Sequence, residues 1–379
     1  MMMSLTPEQL KLQSEFKIFV DKYITPYAAK NDVEEILQEN IINNIKKKGY
    51  LGSMIPSNFG GLGFDSVTIG ILNEEVGKGC SSTRSLLTVH GMVAIAINRW
   101  GTKEQKKYWL PKLAKGELIG AFALTEPNVG SDANSIETTA VLDGENYILN
   151  GNKKWITMGQ IADVFLVFAK INGKTTALLV NKRAKGFSIE PMKGLLGARA
   201  SMIAKLKFEN CIIPKENLIG REGMGLSHVG LYSLDYGRYT IACGCVGLAQ
   251  ACLNESLAYC RKRVQFKVAL REHQLIQKMI TEMIVNIQAA RLLCYNAGQL
   301  RDLKDPDSIM ETWNAKYFAS KMANSVASYA VQIFGAKGLS KDYPIERYFR
   351  DARVNEIIEG SSQIHESLIA KNAFRYENL

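Results

Sequence analysis

Apolar residues recur at helical spacing through the first third of the chain. Leu12, Phe16 and Phe19 begin the pattern, and Ile41 belongs to its continuation. Such spacing places the apolar side chains on one face of a helix. The pattern predicts an N-terminal α-helical domain over residues 1–120.

Alternation of apolar and polar residues replaces this pattern from residue 121. Two alternating segments flank Asp143-Gly144, and two more flank Asn172-Gly173. Asp-Gly and Asn-Gly between such segments are strong signals of tight β-hairpins. Residues 121–228 are therefore predicted to form a middle antiparallel β domain, a barrel or a sandwich.

Helical periodicity returns at residue 229. Three long helices are marked by Ile241 to Cys260, Leu275 to Cys294 and Ile309 to Ile333, and a short fourth begins near Ser361. Long amphipathic helices with short connections pack as an up-down bundle. The predicted fold is mainly α with a central β domain, and residues 229–379 form a C-terminal four-helix bundle.

Composition narrows the class of protein. Of 379 residues, 46% are apolar and 22% charged, which is typical of a globular chain. No apolar run approaches the ~20 residues of a membrane span, and Thr6-Pro7-Glu8-Gln9 predicts a capped helix start where a secretory signal would lie. The seven cysteines lie mostly in apolar helical patterns, which favours reduced thiols and a cytoplasmic location.

The net charge and the lack of several common motifs limit the ligands that this protein could bind. Lys and Arg (47) exceed Asp and Glu (37), which suits nucleic acid, a phosphate-bearing cofactor or an acidic carrier protein as partner. The sequence has neither a phosphate loop nor a strand–GxGxxG–helix unit, and GREGMG at 220–225 is interpreted as a linker. Its four histidines lack paired spacing, and Cys243-x-Cys245 lacks zinc spacing, so no metal is expected.

Four motifs occur in a characteristic order across the whole chain. They are AFALTEPNVGSD (121–132), NGNKKWIT (150–157), YCRKRVQF to REHQ (259–274), and QIFGAKGLSKDYPIERYFRDAR ending in EIIEGSSQI (332–364). Together they resemble the acyl-CoA dehydrogenase family. The resemblance implies an FAD-dependent oxidoreductase acting on the CH–CH group of an acyl thioester, with the helix–barrel–helix organisation predicted above.

The resemblance also implies a flavin site. In it the backbone of Phe122 to Ser131 runs along the flavin, Trp155 lies against the isoalloxazine and Thr157 lies near N5. Residues of the C-terminal bundle meet the FAD of a neighbouring subunit, which implies a homo-oligomer, expected to be a tetramer. The implied cofactor-binding residues are Phe122, Leu124, Thr125, Gly130, Ser131, Trp155, Ile156, Thr157, Arg263, Phe266, Gln274, Gln332, Ile333, Phe334, Gly335, Ala336, Ser361 and Gln363.

Glu359 is implied to be the catalytic base. The α-proton of an acyl thioester is weakly acidic, so its removal needs a desolvated carboxylate and donors to the carbonyl oxygen; in the family, one donor is the base's own backbone N–H. Ile357 and Ile358 are expected to raise the pKa of Glu359 by desolvation. The implied substrate-lining residues are Ser131, Asp235, Tyr236, Arg238 and Gly360.

The charged residues also allow simpler interpretations. Glu359 alone fits an acid in front of a helix that Ser361 caps. A minority of the family carries the base on the first long helix, where this chain has Gly237, so no second carboxylate competes. Glu126 is interpreted as structural, and the pairs Glu346/Arg350 and Arg347/Asp351 as surface stabilisation of a helix.

Local departures indicate a branch of the family. Lys267 follows Phe266, Ile358 precedes Glu359, and CSSTRS (80–85), YGR, GCVG and EIIEGSS resemble dehydrogenases of carrier-protein-bound acyl groups. Those enzymes serve extender-unit biosynthesis for polyketides and nonribosomal peptides, so an acyl carrier protein is the predicted tether.

Two alternatives to that branch stay open. One is an acyl-CoA dehydrogenase of fatty-acid or amino-acid catabolism, and the other is a DNA-binding flavoprotein homologue. An electron-transfer flavoprotein or another acceptor is the expected redox partner, and neither a membrane nor nucleic acid is expected.

Overall fold

The computed structural model describes residues 5–374, and the part before residue 120 is helical as predicted. Thr6 caps the first helix: its hydroxyl accepts from the Gln9 N–H, and the Gln9 side chain accepts from the Thr6 N–H. The helices are α1 Pro7–Tyr23, α2 Ala28–Glu34, α3 Glu39–Lys47, α4 Ser66–Gly79, α5 Ser81–Trp100 and α6 Lys103–Ala114.

The middle region is a sheet that contains both predicted hairpins. Asn172 and Gly173 connect one of them with φ of 50° and 75°, the left-handed backbone that Asn-Gly favours. The strands are β1 Gly120–Ala123, β2 Thr139–Asp143, β3 Asn146–Ile156, β4 Val164–Ile171, β5 Lys174–Asn181, β6 Phe187–Pro191, β7 Ala204–Pro214 and β8 Leu218–Ile219.

The prediction that this sheet is antiparallel is wrong in part. β1 runs parallel to β4 from Gly120 to Ala123, and β2 meets β4 in parallel at Thr139. The described strand order, β6-β7-β3-β2-β4-β5-β8 with β1 beside β4, has two free ends and is not a closed barrel. Hairpin signals reveal only strands that follow one another in the sequence, whereas β2 and β3 lie between β1 and β4.

In the part of the C-terminal region that the structure describes there is one helix more than predicted. The additional helix, Ile345–Asn355, packs against the helices Leu231–Lys262 and Ser308–Phe334 and leads into the segment that contains Glu359. After a π-helical turn at Gly225–Gly230, the elements are α7 Leu231–Lys262, β9 Val264–Gln265, β10 Val268–Ala269, α8 Gln274–Asp302, α9 Ser308–Phe334, α10 Ile345–Asn355 and α11 Ser362–Ala373.

Helix α7 is the central element of the molecule. It packs against α4 and α5 of the N-terminal region and against α8 and α9 of its own bundle. The helix from Gly225 to Lys262 is long and apolar enough to cross a membrane by length and composition, but 72% of its most apolar window is buried inside the structure. Its apolar character therefore serves packing, and Gly247 allows the approach to α4, since a Cβ there would lie 1.9 Å from the Glu74 carbonyl oxygen.

Helix α10 connects the three regions, which corrects the interpretation of its charges as surface pairs. Arg350 bonds Glu346 as expected, but it also donates to both carboxylate oxygens of Asp32 and to the Leu196 carbonyl. Asp351 is buried and accepts from the Ala198 N–H at 2.6 Å, with no ion pair to Arg347 among the described residues. Burial raises the pKa of Asp351 to about 6. These charges hold the domains together.

Candidate active site

The segment between α10 and α11 has an unusual backbone. Glu359 and Gly360 both have positive φ, 56° and 97°, so the chain reverses within two residues. A left-handed non-glycine residue is uncommon and signals a constraint. Ser361 then caps α11 by accepting from the Ile364 N–H, as predicted. The resulting turn fixes the direction in which the Glu359 side chain leaves the backbone.

Two buried cations bind the carbonyls of this turn. Arg238 Nε donates to the Glu359 carbonyl oxygen at 3.1 Å, and Lys316 Nζ donates to that of Gly360 at 2.6 Å. Lys316 is completely buried and Arg238 is 6% exposed. Burial lowers the pKa of Lys316 to about 8. Charge-assisted bonds of this kind are strong and directional, so α7 and α9 together fix the turn.

The Glu359 carboxylate is desolvated and incompletely paired. Its Oε2 is buried without a hydrogen-bond partner among residues 5–374, and no acceptor in that range binds its backbone N–H. Burial raises the pKa of Glu359 to about 7, although Arg238, Lys316 and Arg84 oppose the shift. An unpaired buried acceptor is costly in a folded protein and requires an explanation. A base awaiting a substrate proton provides one.

The source of this desolvation differs from the expectation. Ile357 is 58% exposed and Ile358 packs against the C-terminal core, so the isoleucine pair does not enclose the carboxylate. A Cβ on Gly237 would lie 2.6 Å from Glu359 Oε2 and 3.0 Å from Met92 Sδ. The enclosure therefore comes from α5 and α7, which sequence neighbours could not reveal.

The implied substrate-lining residues are only partly brought together. Arg238 binds the turn formed by Glu359 and Gly360, so Arg238 and Gly360, two of the five, lie beside the base. Asp235 is instead paired with Arg301, and the Tyr236 ring packs over Gly91, where a Cβ would lie 2.5 Å from it. Asp235 and Tyr236 thus support α7, and a direct contact with substrate stays a prediction.

A buried ion pair between Lys153 and Glu126 anchors the implied flavin loop. Lys153 Nζ lies 2.7 Å from Glu126 Oε1, and both side chains are almost fully buried. Glu126 also accepts from the N–H groups of Glu137 and Thr138, and the Thr125 carbonyl accepts from the Lys154 N–H at 2.9 Å. These bonds confirm the structural role of Glu126 and tie the loop to the end of β3.

Trp155 lies at that same end of β3. It has φ of 63° and is 49% exposed, whereas Ile156 is buried. Gly130 and Ser131 in the adjoining loop are exposed, and a Cβ on Gly130 would meet no atom within 4 Å. An accessible indole face beside polar, uncovered backbone fits a flavin and its phosphates. The residues present thus fit FAD, while their individual contacts stay predictions.

The implied second flavin cluster lies at the other end of α7. Leu270 N–H donates to the Arg263 carbonyl oxygen, and Tyr259 stacks on Phe334 at 4.1 Å, so the ends of α7 and α9 meet the start of α8. Phe266 is 91% exposed, whereas Phe334 is buried. Arg263 follows Arg238 by 25 residues, about 37 Å of helix. Within one chain this cluster is remote from the base.

The remaining residues of this cluster differ in accessibility. The Ile333 side chain is buried like that of Phe334, so only the backbone of these two residues could contact a cofactor. Gln274, Gln332, Gly335 and Ala336 are exposed. Gln363 is exposed too, but it lies on α11 four residues after Glu359, near the base rather than in this cluster.

Three buried cations in and around the site were missed from the sequence. Lys153 and Lys316 occupy inward positions of β3 and α9, and Arg84 lies in the apolar helix α5. A charged residue in the apolar phase of a strand or helix is rarely buried without a partner. The position of each cation in the apolar repeat of its strand or helix is the sequence feature that could have identified it.

Comparison with known proteins covers nearly the whole chain. Residues 6–117, 121–211 and 223–374 match the N-terminal, middle and C-terminal domains of acyl-CoA dehydrogenases. A short-chain-specific acyl-CoA dehydrogenase of Clostridium acetobutylicum is 40% identical, over 98% of this chain and 99% of its own length.

Solved structures agree with this match. The butyryl-CoA dehydrogenase of Megasphaera elsdenii has a TM-score of 0.95 at 31% identity, covering 99% of this chain and 100% of that one. A prolyl acyl carrier protein oxidase has a TM-score of 0.93 at 30% identity, covering 98% and 100%.

Proposed function

Because the chain belongs to the acyl-CoA dehydrogenase family, a family of FAD-dependent oxidoreductases acting on CH–CH groups of acyl thioesters, we propose that its substrates are short-chain acyl-CoA thioesters and that Glu359 is the base. The observation that carries the proposal is that, among residues 5–374, the buried Oε2 of Glu359 and the Glu359 backbone N–H both lack a hydrogen-bond partner. The similarity to short-chain and butyryl-CoA dehydrogenases supports the chain length.

Each group around Glu359 has a distinct role in the proposed reaction. Glu359 removes the α-proton, and its N–H donates to the thioester carbonyl oxygen. Arg238 and Lys316 hold the turn so that both groups face one point. Bound FAD supplies the acceptor for the hydride from the β-carbon. α5 and α7 exclude water from the carboxylate, which keeps its pKa near neutral.

A carrier-protein thioester is the second candidate substrate. The motifs CSSTRS and EIIEGSS and the similarity to a prolyl acyl carrier protein oxidase favour it. The basic balance of the chain suits an acidic carrier. In this version the chemistry at Glu359 is unchanged and only the tether differs.

Flavin bleaching distinguishes these proposals. Purified FAD-loaded protein is mixed anaerobically with butyryl-CoA or butyryl-carrier protein, and we expect rapid loss of flavin absorbance with butyryl-CoA. Glu359→Gln should keep its FAD and lose the bleaching by about a hundredfold or more, while the exposed Glu366→Gln control bleaches normally. Bleaching by the carrier-protein thioester alone would show that the acyl group is tethered to a carrier protein rather than to CoA. Full activity of Glu359→Gln would show that Glu359 is not the base.

Assembly, acceptor and location are proposals of the same kind. The ~37 Å along α7 between Arg238 and Arg263 supports a homo-oligomer in which the Arg263 cluster serves a neighbouring chain, with a tetramer as the expected form. An electron-transfer flavoprotein as acceptor and a cytoplasmic location stay predictions.

A further inference from the structure

The turn that contains the base, residues 359–361, is held by side chains from three helices. Arg238 of α7 and Lys316 of α9 donate to the carbonyl oxygens of its first and second residues. His365 of α11 adds a third contact, since its Nδ1 lies 3.1 Å from the Ser361 carbonyl oxygen. Among residues 5–374, no backbone N–H donates to the first two of these carbonyls. Side-chain donors therefore fix this turn.

The His365 side chain is completely buried and uncharged at neutral pH. Because a carbonyl oxygen can only accept a hydrogen bond, Nδ1 carries the proton and Nε2 is the acceptor of the ring. Burial and the nearby Lys316 lower the pKa of His365 to about 4. The imidazole thus binds the turn without adding a further cation beside Glu359.

The imidazole ring also fills the space next to Gly360. A Cβ built on Gly360 would lie 3.1 Å from His365 Cε1 and 3.6 Å from Arg238 Nη2. This glycine, whose φ is 97°, therefore packs directly against the ring. Since Glu359 precedes Gly360 in the chain, a shift of the ring would let the turn relax and would move the carboxylate.

An unpaired acceptor on the same ring indicates that the histidine serves more than packing. Nε2 of His365 is buried without a hydrogen-bond partner among residues 5–374, which costs stability. The Ser361 carbonyl already accepts the backbone N–H of His365 at 3.1 Å, so the imidazole is not needed to satisfy it. An apolar ring would fill the same space without the unpaired acceptor. The Nδ1–H donor is what only the histidine ring adds.

We propose that His365 is a positioning residue for the base. Its N–H and its ring hold Ser361 and Gly360 so that the carboxylate and the backbone N–H of Glu359 face the thioester together. The proposal rests on the proposed function and deepens it by adding α11 to the elements that set the geometry of proton removal. His365 itself neither receives nor delivers the α-proton.

The first experiment separates the hydrogen bond of His365 from the packing of its ring. His365→Phe keeps an aromatic ring and loses the donor, so Tm should not fall, since the unpaired acceptor is lost as well. We expect the rate of flavin reduction by butyryl-CoA to fall about tenfold, because even a small displacement of a base is costly. His365→Asn keeps a side-chain N–H in the place of Nδ1 and should lose less than about threefold. FAD content and Tm of each variant establish folding.

Two readouts of the same experiment identify the effect as positioning. In His365→Phe the limiting rate should fall while the half-saturating concentration of butyryl-CoA stays the same, and the loss should be equal between about pH 6 and 9. His228→Phe, at an exposed histidine that contacts Trp100, is the matched control and should keep the wild-type rate. A wild-type rate in His365→Phe would overturn the proposal. Equal losses in the Phe and Asn variants would also overturn it, because the N–H would then hold nothing.

The second experiment observes the substrate carbonyl without turnover. In FAD-loaded Glu359→Gln, the infrared band of the isotope-labelled thioester carbonyl of butyryl-CoA should move to lower frequency, since the N–H of residue 359 donates to it. Adding His365→Phe should reduce this shift, and adding His228→Phe should not. An unchanged shift with His365→Phe would overturn the role of His365.

Failure of the proposed function would be recognised separately. If no thioester bleaches the wild-type flavin, the proposed function is overturned whatever the variants do. Hydrogen exchange of the peptide 356–366 without substrate then decides whether His365 holds the turn. Faster exchange in His365→Phe than in His228→Phe would support that role, and equal exchange would overturn it.

Discussion

At the scale of single residues, the chemistry depends on one carboxylate whose burial disfavours its ionised form. The pKa of Glu359 is raised to about 7 because burial outweighs Arg238, Lys316 and Arg84. A base with a pKa near the working pH combines a useful ionised fraction with a strong affinity for the proton. The three cations limit the rise and keep the group usable.

The pH profile of flavin reduction should show the ionisation of Glu359. The single-turnover rate with butyryl-CoA is expected to rise about tenfold per pH unit well below pH 7 and to level above it, as Glu359 ionises. Stopped-flow absorbance between pH 5.5 and 9 measures it. A rate independent of pH across this range would contradict the raised pKa.

The same shift affects stability with a definite sign. The folded-state pKa, about 7, exceeds the ordinary value of 4.5, so folded protein retains a proton that unfolded protein has released. Stability contributed by Glu359 is therefore lost as pH rises from about 4.5 to about 7. In Glu359→Gln the melting temperature should fall less over this window than in the wild type.

Gly237 provides a second test at the residue scale. A Cβ there would lie 2.6 Å from Glu359 Oε2, so Gly237→Ala should displace the carboxylate and slow flavin reduction by about a hundredfold. The shorter Glu359→Asp relieves the overlap, so Gly237→Ala should cost little more in that background. Equal losses in both backgrounds would show that Gly237 acts by another route.

At the scale of elements, β3 supports the flavin loop through one buried pair. Lys153→Met would leave Glu126 as an uncompensated buried charge and should destabilise the protein by about 3–5 kcal/mol. It should also weaken FAD binding, because Glu126 positions the loop through Glu137 and Thr138. Denaturant unfolding and flavin-release titrations measure the two effects.

A double variant separates these effects. Lys153→Met with Glu126→Leu removes both charges and should recover part of the stability. It should not restore FAD affinity, since the carboxylate acceptors of the loop are lost. Full recovery of both would mean that the pair positions nothing.

At the scale of the whole molecule, Arg350 joins regions that are far apart in sequence. Arg350→Gln removes the bonds to Asp32 and Leu196 and should lower the free energy of unfolding by about 2 kcal/mol. Hydrogen exchange at residues 194–199 should quicken. The half-exposed Arg353→Gln serves as control and should change stability by less than about 0.5 kcal/mol. An effect no larger than that of the control would remove Arg350 from interdomain packing.

Much of this architecture follows from local patterns. The capping box at Thr6, the hairpin at Asn172-Gly173 and the cap at Ser361 each involve residues a few positions apart, whose geometry is set by near neighbours. The parallel pairing of β1 with β4 lies outside such patterns, because strand neighbours from distant segments leave no turn signal.

The sequence by itself determined the period of each element, the turns between them and the motifs that resemble one enzyme family. Tertiary structure alone decided what surrounds Glu359: two helices rather than its isoleucine neighbours desolvate it, and Lys316 and Arg238 hold its turn. It also packed Arg84 of α5 against Gly244 of α7. The physical reason is that desolvation and charge interactions depend on distance in space, which helix packing sets across more than a hundred residues of chain.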